Sequence, residues 1–251
     1  MKILVTFAVA AEFAAWRKHH DFRQIARQPY PLFAADIGGS TVRVVLTGMG
    51  AASASQAVRW ALASASDLCV SSGFAGGLRP DLRVREVLAA RVVLRAEEEL
   101  AVASDRDLLA AARDAGARQV DRFLTSERLI TTAVEKRSLA EEADAVEMES
   151  FVILAEAARH GVRAVAVRAA SDAAETSLAY DFARARDERG QIRMSALLPM
   201  VFAKPSGIPA LLRLARDSRA AARDLAEFLD RYLALLHARL DLSHSEMVAA
   251  L

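Results

Sequence analysis

Two short clusters of polar residues are the part of this sequence best suited to chemistry. The first is VEME at positions 146–149, and the second is RAASD at positions 168–172. Each cluster lies where an apolar run that predicts a β-strand comes to an end. Buried strand ends normally carry apolar residues, because a polar group there must find a partner. A functional site that contains Glu149 and Asp172 is therefore the favoured interpretation.

The segment between the two clusters predicts a helix flanked by two strands. Positions 150–160 carry apolar residues at helical spacing, Gly161 suits the end of a helix, and positions 162–170 are β-prone. Such a crossover makes the strands parallel, with their carboxyl ends at one edge of the sheet. Glu149 and Asp172 are then predicted to face the same crevice. Helix capping is the alternative for either carboxylate, and Asp172 suits an N-cap.

Length and composition fit one compact domain that spans residues 1–251. Hydrophobic residues make up 53% of the chain and charged residues 26%, which is ordinary for an α/β protein. The formal net charge is +1, with acidic and basic residues interspersed. This balance lacks the basic field of a nucleic-acid binder, so nucleic acid is not expected as a partner.

Cysteine and histidine usage predicts neither a disulfide nor a metal site. Cys69 is the single cysteine and is interpreted as a small buried hydrophobic residue inside a strand. The five histidines show no ligand spacing with cysteine or carboxylate. The N-terminus lacks a signal-peptide pattern and no run of eighteen apolar residues occurs, which predicts a cytoplasmic protein.

Hydrophobic periodicity predicts a three-layer α/β/α fold with a mixed central β-sheet. A hairpin is expected around Gly38-Gly39, and the Ala/Arg-rich stretch at 213–223 is interpreted as a helix, because apolar residues after it keep helical spacing. The predicted strands cover 3–9, 31–36, 41–47, 68–72, 84–94 and 120–125 besides the two at the clusters, and the predicted helices cover 51–64, 105–114, 126–140 after an initial turn, 150–160 and a long helix within 191–240.

Five short motifs occur in the order found in a known family. They are KILVT at 2–6 followed by Glu12, LTGMG at 46–50, SGFAGGL at 72–78, VEME at 146–149 and VRAASD at 167–172. With these motifs the sequence resembles the purine nucleoside phosphorylase and uridine phosphorylase superfamily, particularly its methylthioadenosine and S-adenosylhomocysteine nucleosidases. Residues 204–230 are similar to the tail of the branch associated with hopanoid biosynthesis, which implies an adenosine carrying a pentacyclic lipid at its 5′ carbon.

The resemblance implies cleavage of the bond between the ribose and the base of a purine nucleoside. Departure of the base builds positive charge on the sugar and negative charge on the base, so an acid is needed at the base and electron-rich groups at the sugar. By resemblance, Asp172 protonates or hydrogen-bonds the purine N7, and Glu149 accepts hydrogen bonds from the ribose hydroxyls. Met148 is expected to pack beneath the sugar.

Three further polar residues are expected at the substrate by the same resemblance. Ser171 and Arg168 are expected to position Asp172 or to tune it electrostatically. Glu147 completes the polar part of the expected binding site.

Glu12 bears on whether water or phosphate attacks the sugar. In the family's hydrolytic branch a glutamate shortly after the first strand activates water, and Glu12 occupies this place. Its alternative role is that of an acidic residue at a helix N-terminus, favoured by the helix dipole. Glycine turns at 48–50, with Gly48 and Gly50, and at 73–77 are expected to offer backbone N–H groups to an anion. Hydrolysis and phosphorolysis both stay open, with phosphate as co-substrate in the second case and no cofactor in either.

Two departures from the family indicate an apolar pocket. Phe74 stands where the nucleosidases usually have a small hydroxyl residue, and Leu129-Ile130 stands where they have an aromatic residue. Together with Ala75 and Gly76, these residues are predicted to line the pocket. An aliphatic and aromatic wall fits a hydrophobic 5′ substituent, and core packing is the alternative role for Phe74.

The segment 194–212 is apolar and is interrupted by three prolines. It is predicted to form a lid, a peripheral membrane contact or a buried subunit interface. Because the superfamily commonly oligomerises, a homodimer or a higher homo-oligomer is expected.

The sequence therefore predicts an enzyme that cleaves an adenine nucleoside modified at its 5′ position, with adenosylhopane as the substrate of the narrower resemblance. A methylthioadenosine or S-adenosylhomocysteine nucleosidase is the first alternative. A non-catalytic nucleoside-binding protein on the same scaffold is the second, and the presence of Glu12, Glu149 and Asp172 argues against it.

Overall fold

The computed structural model describes residues 1–95, 100–179 and 205–249. Within these ranges eleven strands form one mixed sheet. The strands are β1 (Lys2–Phe7), β2 (Arg23–Ala26), β3 (Leu32–Ile37), β4 (Ser40–Leu46), β5 (Leu68–Ser71), β6 (Phe74–Gly77), β7 (Val87–Arg95), β8 (Leu100–Ala103), β9 (Arg118–Thr125), β10 (Ala145–Glu147) and β11 (Arg163–Asp172). Their order across the sheet is β2-β3-β4-β1-β5-β11-β6-β10-β9-β7-β8, and a further pairing of β11 with β7 closes a ring of five strands.

The centre of the sheet is parallel. β5 pairs in parallel with β1 on one side and with β11 on the other, so that Val70 lies opposite both Val5 and Val165. These three side chains are fully buried. A strand buried on both faces reads as a continuous hydrophobic run, which is how the sequence locates β5 at the centre.

Six helices cover the sheet in the described ranges. They are α1 (Ala10–Phe13), α2 (Ala51–Leu62), α3 (Arg106–Asp114), α4 (Ala133–Leu139), α5 (Ser150–Arg159) and α6 (Ile208–Ala249). One core cluster joins a sheet face to α3 and α6 through residues such as Leu108 and Phe228, and a second joins the opposite face to α2 and α5 through residues such as Ala57 and Leu154. The predicted α/β/α arrangement with a mixed sheet is thereby confirmed.

The long helix α6 confirms the helical interpretation of the Ala/Arg-rich stretch. Leu225, Phe228, Leu229 and Tyr232 are buried at helical spacing, and the Tyr232 hydroxyl donates to the Leu108 carbonyl at 3.1 Å. A 3₁₀ turn at Pro205–Gly207 precedes the helix. The earlier part of the predicted apolar segment, 194–204, lies outside the described residues. None of the helices in the described ranges is long and apolar enough to span a membrane.

An aromatic cluster fixes the short helix α1 directly after β1. The rings of Phe7 and Phe13 are 5.5 Å apart, and those of Phe13 and Phe22 are 5.0 Å apart. Trp16 is fully buried against the same rings and donates its indole N–H to Asp230 on α6 at 2.6 Å. This packing determines where the chain places Glu12.

Two expectations about the strands are wrong. Residues 74–77 form strand β6 rather than a glycine turn, because their backbone pairs with β11 on one side and with β10 on the other. The strands that flank α5 are also not parallel neighbours. β10 is antiparallel to β6, and β6 is parallel to β11, so β10 and β11 run in opposite senses with β6 between them.

Cys69 lies inside β5 with no exposed surface, as predicted. Burial raises the pKa of its thiol to about 12. The thiolate is the reactive form of cysteine, so this residue is an inert part of the core.

Candidate active site

A cavity of about 310 Å³ opens beside the end of β11. Most of the residues predicted to bind substrate line it, namely Glu12, Phe74, Ala75, Gly76, Leu129, Ile130, Glu147, Met148, Glu149, Ser171 and Asp172. Arg168, Gly48 and Gly50 do not line it. The sequence thus identifies most of the wall, although its reason for the convergence is wrong.

The convergence depends on strand β6. Gly76 pairs with Val146 of β10 on one side and with Asp172 of β11 on the other. Neighbouring strands are about 4.8 Å apart, so these two residues are separated by roughly twice that distance. Glu149 follows β10 by two residues and therefore reaches the same cavity as Asp172 without a parallel crossover.

Asp172 is held between a hydroxyl and an ammonium group. The Ser171 hydroxyl donates to Oδ1 of Asp172 at 2.6 Å, as expected for a residue that positions this carboxylate. Lys136 of α4 donates its ammonium to Oδ2 of Asp172 and to the Ala173 carbonyl, the latter at 2.8 Å. The Lys136 side chain is 0% exposed and that of Asp172 is 10% exposed. Asp172 does not cap a helix in the described ranges.

Lys136 is a charged residue at this site that the sequence does not predict. The hydrophobic pattern of α4 gives no signal for it, because Val134 is exposed while Lys136 is the buried residue of that helix. The available signal is compositional. The chain has four lysines among its 33 basic residues, and only Lys136 falls between positions 18 and 204.

Glu149 faces the cavity and accepts a hydrogen bond from the Gly50 N–H at 2.7 Å. Burial raises the pKa of its carboxyl group to about 8, and the nearby carboxylates of Glu147 and Glu12 act in the same direction. Arg168 and the Gly50 N–H oppose this shift of the pKa. A carboxylate with one backbone donor keeps acceptor capacity for the hydroxyls of a ligand.

Glu147 and Arg168 form a buried ion pair behind the cavity. Nη2 of Arg168 donates to Oε2 of Glu147 at 2.8 Å and to the Ser71 hydroxyl at 3.1 Å. Oε2 of Glu147 also accepts from the N–H groups of Glu149 and Ser150, at 3.0 and 2.7 Å, where α5 begins. The other carboxylate oxygen of Glu147 accepts from the Thr125 hydroxyl.

This arrangement corrects the role expected for Arg168. Its guanidinium contacts Glu147, and no hydrogen bond or ion pair with Asp172 is observed. Arg168 and Asp172 are four residues apart on one strand, and such positions are about 13 Å apart. Glu147 lines the cavity as predicted, but its two oxygens are already engaged in holding Arg168 and the start of α5.

Glu12 lies at the end of the cavity next to β1. One carboxylate oxygen accepts from the N–H groups of Ala8 and Val9, at 2.8 and 3.1 Å, and the other accepts from the Phe74 N–H at 2.8 Å. Burial raises the pKa of Glu12, while these hydrogen bonds and the charge of Arg168 oppose the rise. Both interpretations of this residue therefore hold geometrically, since it caps the start of α1 and also faces the cavity.

Between the end of β5 and the start of β6, the backbone at Gly73 leaves space for the Glu12 side chain. A Cβ on Gly73 would lie 2.7 Å from Oε1 of Glu12, and Gly73 has a φ of +143° that side-chain-bearing residues rarely adopt. Glycine at position 73 is thus required both by the backbone conformation and by the close approach of the carboxylate.

Three of the backbone N–H groups expected to bind an anion are already occupied. Gly48 donates to the Ala8 carbonyl at 3.0 Å, Gly50 donates to Glu149 and Phe74 donates to Glu12. The glycine segments thus orient the protein's own carboxylates, which corrects the expectation of a site for an external anion at these groups.

The remaining wall is apolar. Phe74 lines the cavity and packs against the core cluster under α6, so its position is compatible with both of its predicted roles. Leu129, Ile130 and Met148 line the cavity as well. The sequence reasoning did not include Met49, Leu178 and Leu214, which add to the same wall. Leu214 shows that α6 borders the cavity.

The mixed sheet with helices on both faces and an acid-lined cavity at the ends of β10 and β11 defines the fold of the nucleoside phosphorylases and nucleosidases. The chain belongs to the phosphorylase superfamily, whose family model matches residues 2–202. The predicted superfamily and the predicted enzyme class are confirmed. No match was found among curated proteins.

Several solved structures share the fold at low sequence identity. The 5′-methylthioadenosine/S-adenosylhomocysteine nucleosidase of Neisseria meningitidis, in complex with methylthio-immucillin-A, is 20% identical with a TM-score of 0.72 over 93% of this chain and 98% of that chain. The corresponding nucleosidase of Helicobacter pylori with butyl-thio-DADMe-immucillin-A is 17% identical with a TM-score of 0.72 over 93% and 97%. The futalosine hydrolase of Helicobacter pylori is also 17% identical, again with a TM-score of 0.72 over 93% and 97%.

Proposed function

We propose that the protein hydrolyses the N-glycosidic bond of an adenine nucleoside that carries a substituent at its 5′ position. The observation that carries this proposal is the division of carboxylates within one cavity. Asp172 lies beside an ammonium at one end, while Glu149 and Glu12 lie with backbone donors at the other. This division matches a reaction in which the base gains negative charge as the sugar gains positive charge.

In the proposed reaction, the bond between C1′ of the ribose and N9 of the base breaks and its electron pair goes to the base. Asp172 delivers a proton to N7, and adenine leaves as a neutral molecule. The ribose hydroxyls donate hydrogen bonds to Glu149. Water attacks C1′ and loses a proton to Glu12, which gives the free sugar.

Strand β6 supports this placement of the groups. The Phe74 N–H contacts Glu12, and a Cβ on Gly76 would lie 3.3 Å from Oδ2 of Asp172. Two residues along a strand span about 7 Å. The acid and the base of the proposed reaction thus lie beside two positions of one strand that are two residues apart.

Electrostatics favours water over phosphate as the attacking group. At the sugar end of the cavity, the N–H groups of Gly50 and Phe74 are engaged with Glu149 and Glu12, and the guanidinium of Arg168 is engaged with Glu147. Among the described residues, the remaining cation that lines the cavity is Arg128, which is paired with Glu135. A phosphate dianion would therefore face the carboxyl groups of Glu12 and Glu149 with no unpaired cation from the described lining, whereas neutral water meets no such repulsion.

The apolar wall supports a hydrophobic 5′ substituent. Phe74, Met148, Leu178 and Leu214 provide it, and the similar nucleosidases were solved with methylthio and butylthio ligands. A 5′-alkylthioadenosine is the first candidate substrate, and an adenosine with a pentacyclic lipid is the second, as the similarity of residues 204–230 to the hopanoid-associated branch implies.

The assembly and membrane contact predicted from the sequence belong to this proposal. At the start of α6, Ile208 is 38% exposed and Leu212 is 65% exposed. Exposed apolar side chains of this kind support either a subunit interface or a peripheral contact with a lipid surface.

An adenine-release assay tests the reaction. We expect adenine release from 5′-substituted adenosines at the same rate with and without phosphate, with the free sugar as the second product. A large acceleration by phosphate together with a ribose 1-phosphate product would contradict the hydrolytic proposal, and no adenine release from any substrate would contradict the activity.

The length of the 5′ group tests the substrate class. Each buried methylene strengthens binding by about 0.8 kcal/mol, so KM should fall about fourfold per methylene while the pocket accommodates it. Methylthio-, butylthio- and octylthioadenosine should be compared. A continued fall to octyl supports the lipid substrate, whereas loss of activity at octyl leaves the short alkylthio nucleosides.

A further inference from the structure

Helix α4 is built around a buried ammonium. Lys136 is the buried residue of this helix and its side chain is 0% exposed, whereas Val134 is 70% exposed. Lysine is almost never fully buried without a partner, because its charge loses hydration. A helix that turns its lysine inward and its valine outward is not explained by core packing.

The surrounding contacts hold Lys136 against Asp172. The Thr132 hydroxyl caps α4 by accepting from the Glu135 N–H at 3.2 Å. The segment after Asp172 is joined to the same helix, because the Ala133 N–H donates to the Ser177 hydroxyl at 3.0 Å. The start of α4 is thus fixed both by its own cap and by the segment that follows Asp172, and this places the ammonium of Lys136 at the carboxylate.

Gly76 leaves the space that this pair occupies. A Cβ at position 76 would lie 3.3 Å from Oδ2 of Asp172 and 3.6 Å from Cε of Lys136. The pair therefore lies next to Gly76, and both Gly76 and Asp172 line the cavity.

We propose that Lys136 is a positioning residue that holds the proton which Asp172 delivers to the departing base. This inference rests on the proposed function. The pair enters the reaction as an ammonium beside a carboxylate. As the C1′–N9 electron pair moves to the base, Lys136 gives a proton to Asp172 and Asp172 gives a proton to N7. The pair is left as an amine beside a carboxylate, and the amine regains its proton from water after adenine leaves.

The test compares two leaving groups in one variant. Lys136→Met keeps the length and apolar stem of the side chain and removes its proton. On 5′-methylthioadenosine we expect kcat to fall at least about a hundredfold. On a 4-nitrophenyl riboside with the same 5′ group, whose leaving group departs without a proton, we expect kcat within a few-fold of the wild type. Arg137→Met, which removes an exposed charge from the same helix, should leave both rates unchanged.

Two results would overturn the inference alone. One is an equal loss of kcat on both substrates, which is the mark of a purely structural role. The other is unchanged release of adenine by Lys136→Met. If the wild-type protein cleaves neither substrate, the proposed function and this inference fail together, and that result is seen before any variant is compared.

A double variant keeps the test decisive if Lys136→Met folds poorly. Removing both charges in Lys136→Met/Asp172→Asn avoids a buried unpaired carboxylate. Because Lys136 acts only through Asp172, the double variant should have the kcat of Asp172→Asn on 5′-methylthioadenosine. A further loss of tenfold or more in the double variant would contradict the inference.

Discussion

The two ends of the cavity treat their carboxylates in opposite ways. At the base end, one carboxylate, Asp172, is matched by one ammonium, Lys136, and one hydroxyl. At the sugar end, Glu12, Glu147 and Glu149 surround a single guanidinium, that of Arg168, which lowers the pKa of both Glu12 and Glu149 against the stronger effect of burial. One end is balanced in charge, and the other has more carboxyl groups than cations.

This difference indicates how one cavity can both protonate the departing base and stabilise the positive charge that develops on the sugar. A balanced pair with a mobile proton is suited to give that proton to a leaving base. An excess of buried carboxylates favours the approach of positive charge, which is the charge that develops on the sugar. The backbone donors that hold Glu12 and Glu149 keep these carboxylates in place before a ligand arrives.

The largest expected effect is at the base end. Asp172→Asn keeps the shape of the side chain but cannot deliver a proton, so kcat for adenine release should fall by ~10²–10⁴-fold while KM changes little. Steady-state kinetics would measure this, with Asp121→Asn on the exposed part of β9 as control. Turnover within a few-fold of the wild type would remove Asp172 from the role of acid.

The next effect is at the sugar end and should respond differently to the leaving group. Glu12→Gln should lower hydrolysis by ~10²–10³-fold, because the amide cannot accept a proton from water. A 4-nitrophenyl leaving group should restore activity to Asp172→Asn but not to Glu12→Gln. The exposed Glu142→Gln is the matched control. Restoration of both variants by the same leaving group would show that the two ends do not have separate roles.

The pH dependence of kcat/KM should come from the sugar end. Burial raises the pKa of Glu149 to about 8, and its ionised form is the better acceptor for ribose hydroxyls. For the wild type, kcat/KM should therefore rise with pH up to about 8, since this parameter reports the free enzyme. Glu149→Gln should have a lower kcat/KM that is flatter over the same range, with a smaller loss on a 2′-deoxy substrate. An unchanged acid limb in the variant would assign the titration to another group.

The same comparison shows what the sequence could predict. Glu149 and Asp172 are predictable because a carboxylate at the end of a buried strand has no packing explanation, and Glu12 is predictable from the family resemblance. Lys136 was not found, because an isolated lysine in a short polar helix reads as a solvated residue. Its burial follows from the position of α4 against the segment after β11, which no local pattern determines.

Two further differences have the same origin in tertiary structure. The prediction of a parallel crossover is wrong because β6 lies between β10 and β11. The spacing of the two clusters in the sequence does not determine the order of the strands. The resemblance implies that Arg168 acts on Asp172, but the extended strand separates the two residues, and the guanidinium contacts Glu147 instead. Residue types at strand ends are thus predictable, whereas their partners depend on the order of the strands.

The smallest expected effect concerns stability. It tests whether ionisation of the buried Glu149, beside the carboxyl groups of Glu147 and Glu12, destabilises the fold. The pKa of Glu149 is raised in the folded protein from 4.5 to about 8. A group with a raised folded-state pKa contributes stability that is fully present below pH 4.5 and is lost as pH rises through 8. Glu149→Gln stays neutral, and its carbonyl can still accept from the Gly50 N–H. Its free energy of unfolding should match the wild type at pH 4 and exceed it increasingly up to pH 8, by at most about 1.4 kcal/mol per pH unit.

Denaturant unfolding at several pH values would measure this difference in the free energy of unfolding, with Glu142→Gln as the exposed control. A variant that is less stable than the wild type at pH 8 would show that Glu149 is stabilised in its ionised form, and the contrast between the two ends would then lose its electrostatic basis.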